Sequence, residues 1–154
     1  MLVVGASVAL LVACAPLTGP AATPTATAPT TIATTPSPTP TATGPVLVAD
    51  GTAEDNLPLF TEVMERVWGT DNRVKGRAYV DALQRAGFDR AAMEVTKDRT
   101  SVGLAADSIQ FSVRWDDACL VGQVGPSTKT PTAVILPVLP SGGCLVGETR
   151  PIDW

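Results

Sequence analysis

Between residues 57 and 68, apolar side chains recur at intervals of three and four residues, the spacing of one face of an α-helix. The apolar positions of this stretch are Leu57, Phe60, Met64, Val67 and Trp68. Either Asp55 or Asn56 is suited to cap the start of the helix, and Pro58 is tolerated in a first turn. A helix is therefore predicted here, and Gly69-Thr70-Asp71-Asn72 ends it.

A second helical pattern covers residues 74–86. The side chains on its apolar face are Tyr79, Val80, Leu83 and Ala86. Gly87 follows, and glycine readily adopts the left-handed conformation that ends many helices. Because only a short connection separates the two patterns, we expect the two helices to form a hairpin.

After Phe88 the period of the apolar positions changes to two, which is typical of β-strands. Met93 and Val95 alternate with polar residues, and residues 109–115 give the cleanest alternation in the chain. Asp116-Asp117 then marks a turn, since aspartate side chains favour turn conformations. This part of the chain therefore predicts two strands.

Residues 119–124 and 133–139 are predicted as further strands. Pro137 lacks an amide hydrogen, so the strand that contains it is expected at a sheet edge. The predicted fold class is α+β, with an N-terminal helical hairpin packed on a small antiparallel β-sheet.

The first 49 residues differ from the rest, because they carry none of the chain's 11 basic and 15 acidic side chains. Residues 2–12 form an apolar stretch of signal-peptide length, too short for a membrane-spanning helix. It leads into Leu11-Val12-Ala13-Cys14, which resembles the lipobox of bacterial lipoproteins. The resemblance implies that residues 1–13 are a signal peptide and that Cys14 carries lipid, with acyl chains such as palmitate.

Two acyl chains on Cys14 would hold the protein stably on the outer face of the cytoplasmic membrane, so the membrane is its first expected partner. Residues 14–49 are rich in Thr, Pro and Ala and are predicted to be a disordered linker. The spacer is either a bare tether or O-glycosylated, and it would extend the domain at residues 50–154 into the cell wall.

The motif Cys119-Leu120-Val121-Gly122 recurs 25 residues later as Cys144-Leu145-Val146-Gly147. The repeat predicts two similar strands that lie side by side. In an exported chain whose Cys14 is lipidated, Cys119 and Cys144 are left to form one disulfide. Two free thiols, or a redox-active pair, are the alternatives, although the spacing is unlike Cys-x-x-Cys.

The charge pattern argues against nucleic-acid binding. The chain has a net charge of −4, and its densest basic stretch holds only Arg73, Lys75 and Arg77. We interpret these three residues as a solvated helix face.

The sequence contains no histidine, which excludes the common Ser/His/Asp and Cys/His nucleophilic sites. Asp116 and Asp117 are explained by turn chemistry, and no third carboxylate stands at metal-loop spacing. Ser127-Thr128-Lys129 is expected to be a solvated loop. We therefore predict no catalytic residue, no cofactor-binding residue and no metal ligand.

Trp154 is the candidate partner contact, because an exposed tryptophan is a frequent anchor in interfaces. The alternative, which we favour, is that Ile152 and Trp154 close the core.

Several short motifs look similar to an uncharacterised domain of actinobacterial lipoproteins, over residues 50–154. They are Asp55-Asn56-Leu57-Pro58, Gly87-Phe88-Asp89, Asp98-Arg99-Thr100, Ala105-Ala106-Asp107-Ser108, Cys144-Leu145-Val146-Gly147 and Arg150-Pro151-Ile152-Asp153-Trp154. The resemblance implies an exported setting and supports the disulfide, but it implies no activity or ligand. The expected architecture also resembles secreted β-lactamase inhibitor domains and a small outer-membrane assembly lipoprotein, which bind proteins without catalysis.

The favoured hypothesis is thus a lipid-anchored module, not an enzyme, that binds a cell-envelope protein or assists envelope assembly. The alternatives are an envelope ligand-sensing module and a small hydrolase that works without histidine.

Overall fold

The structure is a computed structural model that describes residues 44–154. The predicted signal peptide, Cys14 and the spacer up to residue 43 lie outside these described residues. No helix within residues 44–154 is long and apolar enough to cross a membrane.

The first helix, α1, spans Ala53–Trp68 and begins with Thr52 as its N-cap. The Thr52 hydroxyl accepts the amide hydrogen of Asp55, and the Asp55 carboxylate accepts the amide hydrogen of Thr52 at 2.8 Å. The prediction that Asp55 or Asn56 caps the helix is therefore wrong, because this reciprocal capping box satisfies two free amides one turn earlier. Asn56 is instead buried, and its side chain hydrogen-bonds the main chain of Val48.

The second helix, α2, spans Gly76–Arg85, within the predicted range. Its N-cap, Lys75, makes no side-chain capping bond; instead, the Asp98 carboxylate accepts the amide hydrogen of Gly76 at 2.8 Å. A loop 22 residues away thus caps the helix. Gly87 has a φ of 105°, as the sequence predicts for a residue that turns the chain out of a helix.

A four-stranded sheet follows the helices, and every neighbouring pair of strands is antiparallel. The strands, in chain order and in spatial order, are β1 (Met93–Val95), β2 (Ile109–Trp115), β3 (Ala118–Val124) and β4 (Thr132–Pro137). Both helices pack on the sheet, which confirms the α+β fold. Because β4 is the last strand of the sheet, the edge position predicted from Pro137 is also confirmed.

The core between helices and sheet is centred on Phe111, which is fully buried in β2. Its ring stacks on Tyr79 of α2 with 4.4 Å between ring centroids, and Phe60 of α1 lies 5.8 Å away. Gly122 is the residue of β3 directly opposite, and a Cβ atom there would come within 2.3 Å of the Phe111 ring. Leu47 packs against this core from before α1.

The prediction of a strand at the second Cys-Leu-Val-Gly motif is wrong, because residues 144–147 form a loop. The amides of Cys144 and Leu145 donate to the carboxylate of Glu94, at 3.0 and 2.9 Å, and so are not free for a β-ladder. Gly147 has a φ of 106°, which is incompatible with extended backbone. The predicted disulfide is confirmed: Cys119 and Cys144 are bonded, with 5.7 Å between their Cα atoms.

Candidate functional site

The two edges of the sheet are treated differently by the chain. The outer edge of β1 is covered by the C-terminal segment, since Thr149 bridges Thr96 and the Arg150 amide donates to the Val95 carbonyl at 2.9 Å. Within residues 44–154, no segment pairs with the outer edge of β4. In this part of the chain, the outer main chain of β4 therefore has no partner strand.

The side chains of β4 alternate between two environments. Ala133 and Ile135 pack against the core, whereas Val134 and Leu136 point to the other face and are 38% and 44% exposed. No residue of β4 is charged, although charges commonly protect edge strands from pairing. We call the open main chain of β4, with Val134 and Leu136, the β4 edge.

Beside the β4 edge, a small second cluster covers part of the outer sheet face. Its buried members are Cys119, Val121, Cys144 and Leu145. The disulfide joins the loop to β3, and the hydrogen bonds from the amides of Cys144 and Leu145 to the Glu94 carboxylate join it to β1. The loop is thus attached to the sheet at two points, β3 and β1.

Trp154, the candidate partner contact, is half-buried and packs against the core together with Ile152. Three guanidinium groups lie near its ring: those of Arg150, Arg90 and Arg77, at 4.6, 5.1 and 5.3 Å from the centroid. Arg90 also donates to the main-chain oxygen of Trp154. The indole is therefore held by its own chain and is only partly exposed.

Asp81 of α2 links Trp154 to this basic cluster. Its carboxylate accepts the indole N–H of Trp154 at 2.8 Å and pairs with Arg77 at 3.3 Å and Arg90 at 3.6 Å. Burial by itself raises the pKa of Asp81, but the hydrogen bonds from Trp154 and Arg77 and the two positive charges outweigh it. The pKa of Asp81 is consequently lowered from its ordinary value, and the group stays ionised near neutral pH.

A groove with a volume of about 510 Å³ lies between α1 and α2. Its apolar floor consists of Val63, Val67, Ala78, Ala82 and Ala86. Its charged lining consists of Arg66, Lys75, Arg77, Arg85 and Asp81. We call this cavity the interhelical groove, and it is basic although the chain as a whole is acidic.

This groove was not predicted from the sequence, because Lys75 and Arg77 were interpreted as parts of a solvated face. Two signals were present: basic side chains at both ends of α2, and alanines spaced by four residues at positions 78, 82 and 86. Neither signal specifies a cavity, since that also requires the position of α1.

A second cavity, of about 320 Å³, is lined by four carboxylates, those of Asp50, Glu54, Asp116 and Asp117. Among the described residues, no group of three or more His, Cys, Asp or Glu side chains has a geometry that could hold a metal ion. Asp116 adopts a φ of 53° in the hairpin turn, which agrees with the turn role predicted for it.

Tyr79 is a buried side chain whose hydroxyl can titrate. Burial raises the pKa of its hydroxyl to about 12, and the positive charge of Arg73 offsets only part of this rise. The hydroxyl donates to the Arg73 carbonyl at 2.8 Å. Tyr79 is thus a buried structural group with a pKa far from that of a general acid or base near neutral pH.

A comparison with protein families matches residues 64–148 to the model described as Domain of unknown function (DUF6993). This match spans more than half of the chain and includes the end of α1, the whole of α2, the whole sheet and both cysteines of the disulfide. Comparisons with curated proteins and with solved structures give no match.

Proposed function

The chain belongs to the DUF6993 family, whose function is unknown, and from that premise we propose that it is a lipid-anchored, non-catalytic module that binds a cell-envelope protein. The recognition element is the β4 edge. It receives an extended segment of the partner as a fifth strand.

The difference between the two sheet edges carries this proposal. Natural proteins commonly cover or charge an edge strand, because free amides and carbonyls pair with other chains. Here the C-terminal segment covers β1, whereas β4 has no charged residue and no covering segment within residues 44–154. A strand added to β4 would satisfy these main-chain groups, which is a common way to bind peptides.

The flanks of β4 favour a short partner strand over unlimited sheet growth. Pro131 precedes β4 and Pro137 ends it, so the ladder that remains open covers residues 132–136. Val134 and Leu136 lie on the outer face and are partly exposed, so a partner with apolar residues at alternate positions buries both. The partner segment is therefore extended and uncharged, and every second residue in it is apolar.

The chemistry of the domain supports a role in binding rather than catalysis. The chain has no histidine, and both cysteines of the domain are consumed by the disulfide. The pKa of Tyr79 is raised to about 12 and that of Asp81 is lowered, which are the wrong directions for proton transfer at neutral pH.

The lipobox-like segment ending at Cys14 supports the anchoring part of the proposal. A diacylated Cys14 places the domain outside the cytoplasmic membrane, and the Thr/Pro/Ala spacer gives it reach into the cell wall. Cys14→Ser removes the lipid acceptor. We expect the variant to leave the membrane fraction or to keep its signal peptide, and a variant that still fractionates as mature, detergent-soluble protein contradicts the anchor.

The binding part is tested in cells that produce the full chain with a photoreactive phenylalanine analogue in place of Thr132. Irradiation should link β4 to one envelope protein, whereas the same analogue in place of Val146, on the second Cys motif, should not. A synthetic peptide of the linked segment should then slow hydrogen exchange of those amides within residues 132–136 that point away from β3.

Two lysine variants provide the matched control. Val134→Lys places a charge beside the edge and should abolish the link, whereas Val146→Lys makes the same change at a site 79% exposed and should not. A link between two copies of this chain identifies β4 as a self-association edge and overturns the partner-binding proposal. Equal effects of the two lysines also overturn it.

A further inference from the structure

The interhelical groove combines an apolar floor with a positive rim on an otherwise acidic domain. Valines of α1 and alanines of α2 form its floor, and four of its five charged lining side chains are basic. The single carboxylate, that of Asp81, is already neutralised by Arg77 and Arg90. The groove therefore keeps an excess of positive charge beside apolar surface.

Two of the basic residues have no ionic partner in the part of the chain that the structure describes. The Lys75 ammonium donates to the side-chain oxygen of Asn72, at 3.0 Å, and the Arg85 guanidinium donates to the main-chain oxygen of Asp81, also at 3.0 Å. Arg66, by contrast, pairs with Glu62 along α1. An anion in the groove would thus gain interactions with Lys75 without displacing an existing salt bridge.

The end of the groove at the loop between the helices is polar and the floor beyond it is apolar, with Asp81 and Arg85 also among the lining residues. Thr70, Asn72 and Lys75 lie at the loop that joins the helices, and Ala78, Ala82 and Ala86 continue from there along one side of α2. A ligand that follows this order has an anionic head and a hydrocarbon tail. The volume of about 510 Å³ lies in the range of small-molecule sites.

We propose that the interhelical groove binds a small amphiphile that has an anionic head group, placed near Lys75, and an unbranched hydrocarbon tail, placed along the alanines of α2. The tail covers apolar surface that the fold leaves open, and the head receives the unpaired ammonium charge. The site is separate from the β4 edge, so either proposal can fail without the other.

The test uses cells that produce the full chain. The probe is a twelve-carbon carboxylate with a photoreactive diazirine in its tail and an alkyne for detection. We expect saturable labelling of peptides within residues 63–86. Dodecanoate and dodecyl phosphate should compete, and their relative strength tells whether the head is a carboxylate or a phosphate, whereas uncharged dodecanol should not compete.

Matched variants test the binding of the head group and of the tail separately. Lys75→Gln should weaken labelling about threefold to fivefold, the range for one partly exposed charge pair, whereas Lys129→Gln, which removes the same charge from an exposed loop, should have no effect. Ala78→Leu should fill the floor and remove most labelling, whereas Ala91→Leu on an exposed turn should not. Circular dichroism of each variant checks that it is folded.

Three outcomes overturn the proposal. Labelling outside residues 63–86 places the amphiphile elsewhere, and equal competition by dodecanol removes the role of the anionic head. Displacement of the probe by a glutamate-rich peptide at lower concentration than dodecanoate assigns the groove to acidic protein segments instead.

Discussion

The two copies of Cys-Leu-Val-Gly have the same residues but different structures. Cys119-Leu120-Val121-Gly122 is the middle of β3, which pairs with β2 on one side and with β4 on the other. Cys144-Leu145-Val146-Gly147 has no strand partner and lies as a loop over the outer face of the sheet. The first copy is held by its main chain, and the second by one disulfide and one carboxylate.

The neighbouring residues decide the structure of this short motif. Val121 is buried at 6% exposure, whereas its counterpart Val146 is 79% exposed. Gly122 makes room for the Phe111 ring, whereas Gly147 has open space around it and provides a positive φ. Identical residues thus have different structural roles in the two copies. Mutations at matched positions should therefore change the free energy of unfolding by different amounts.

The largest difference is expected between the two leucines. Leu120 is fully buried in the main core, so Leu120→Ala should lower the free energy of unfolding by about 3 to 5 kcal/mol. Leu145 packs in the small outer cluster, and Leu145→Ala should cost about half as much. Denaturant unfolding of both variants measures the two losses, and equal losses would mean that the outer cluster is as cooperative as the core.

The disulfide joins the two copies, and its removal tests how far the second copy depends on it. The bond closes a loop of 25 residues, for which chain entropy predicts about 3.5 kcal/mol of stabilisation. The double variant with Cys119→Ala and Cys144→Ala should lose about that much by denaturant unfolding. Hydrogen exchange should rise first at residues 144–147. An exchange increase that starts in β3 would contradict the prediction that the second copy depends most on the disulfide.

Much of the fold could be predicted from the sequence, because the patterns that define it are local. The alternation in residues 109–115 and the helical spacing of the apolar residues in α1 each reflect one buried face. Pro137 indicated an edge because of its own missing amide hydrogen. The disulfide followed from the number of cysteines and the expected compartment.

The rest could not be predicted, because it depends on contacts between distant residues. Glu94 binds the amides of Cys144 and Leu145, and it thereby prevents the second motif from forming the strand that its sequence favours. The open β4 edge depends on where the C-terminal segment pairs, and the interhelical groove depends on how α1 lies beside α2. No spacing in the sequence encodes these placements.

The stability of the core that packs against the first copy should depend on pH through Tyr79. Tyr79 stacks on Phe111 and is the only tyrosine of the chain, so its ionisation can be followed by absorbance. Its pKa is raised from 10.0 to about 12 on folding, so its stabilising contribution is complete below pH 10 and is lost as the pH rises to 12. The loss should reach about 2 to 3 kcal/mol, and Tyr79→Phe should remove this pH dependence.

The two glycines should respond for different reasons. Gly122→Ala places a methyl group against the Phe111 ring and should cost about 2 to 3 kcal/mol through overpacking. Gly147→Ala meets no atom within 4 Å, so only its left-handed backbone is strained, and the cost should be about 1 to 2 kcal/mol. The variant Gly122→Ala with Phe111→Leu should recover part of the packing loss, whereas Phe111→Leu should not improve Gly147→Ala.

The smallest effect is expected at Glu94, which holds the second copy through two amide hydrogen bonds. Glu94→Gln keeps an oxygen acceptor but removes the negative charge, so the free energy of unfolding should fall by only about 1 kcal/mol. Hydrogen exchange should nevertheless accelerate at Cys144 and Leu145 and remain unchanged at Cys119 and Leu120, because those amides lie in β3. Glu65→Gln, an exposed position on α1, is the control for the loss of one charge. If Glu94→Gln leaves the exchange of Cys144 and Leu145 as slow as in the original chain, the carboxylate does not hold the loop, and the disulfide alone accounts for the structure of the second copy.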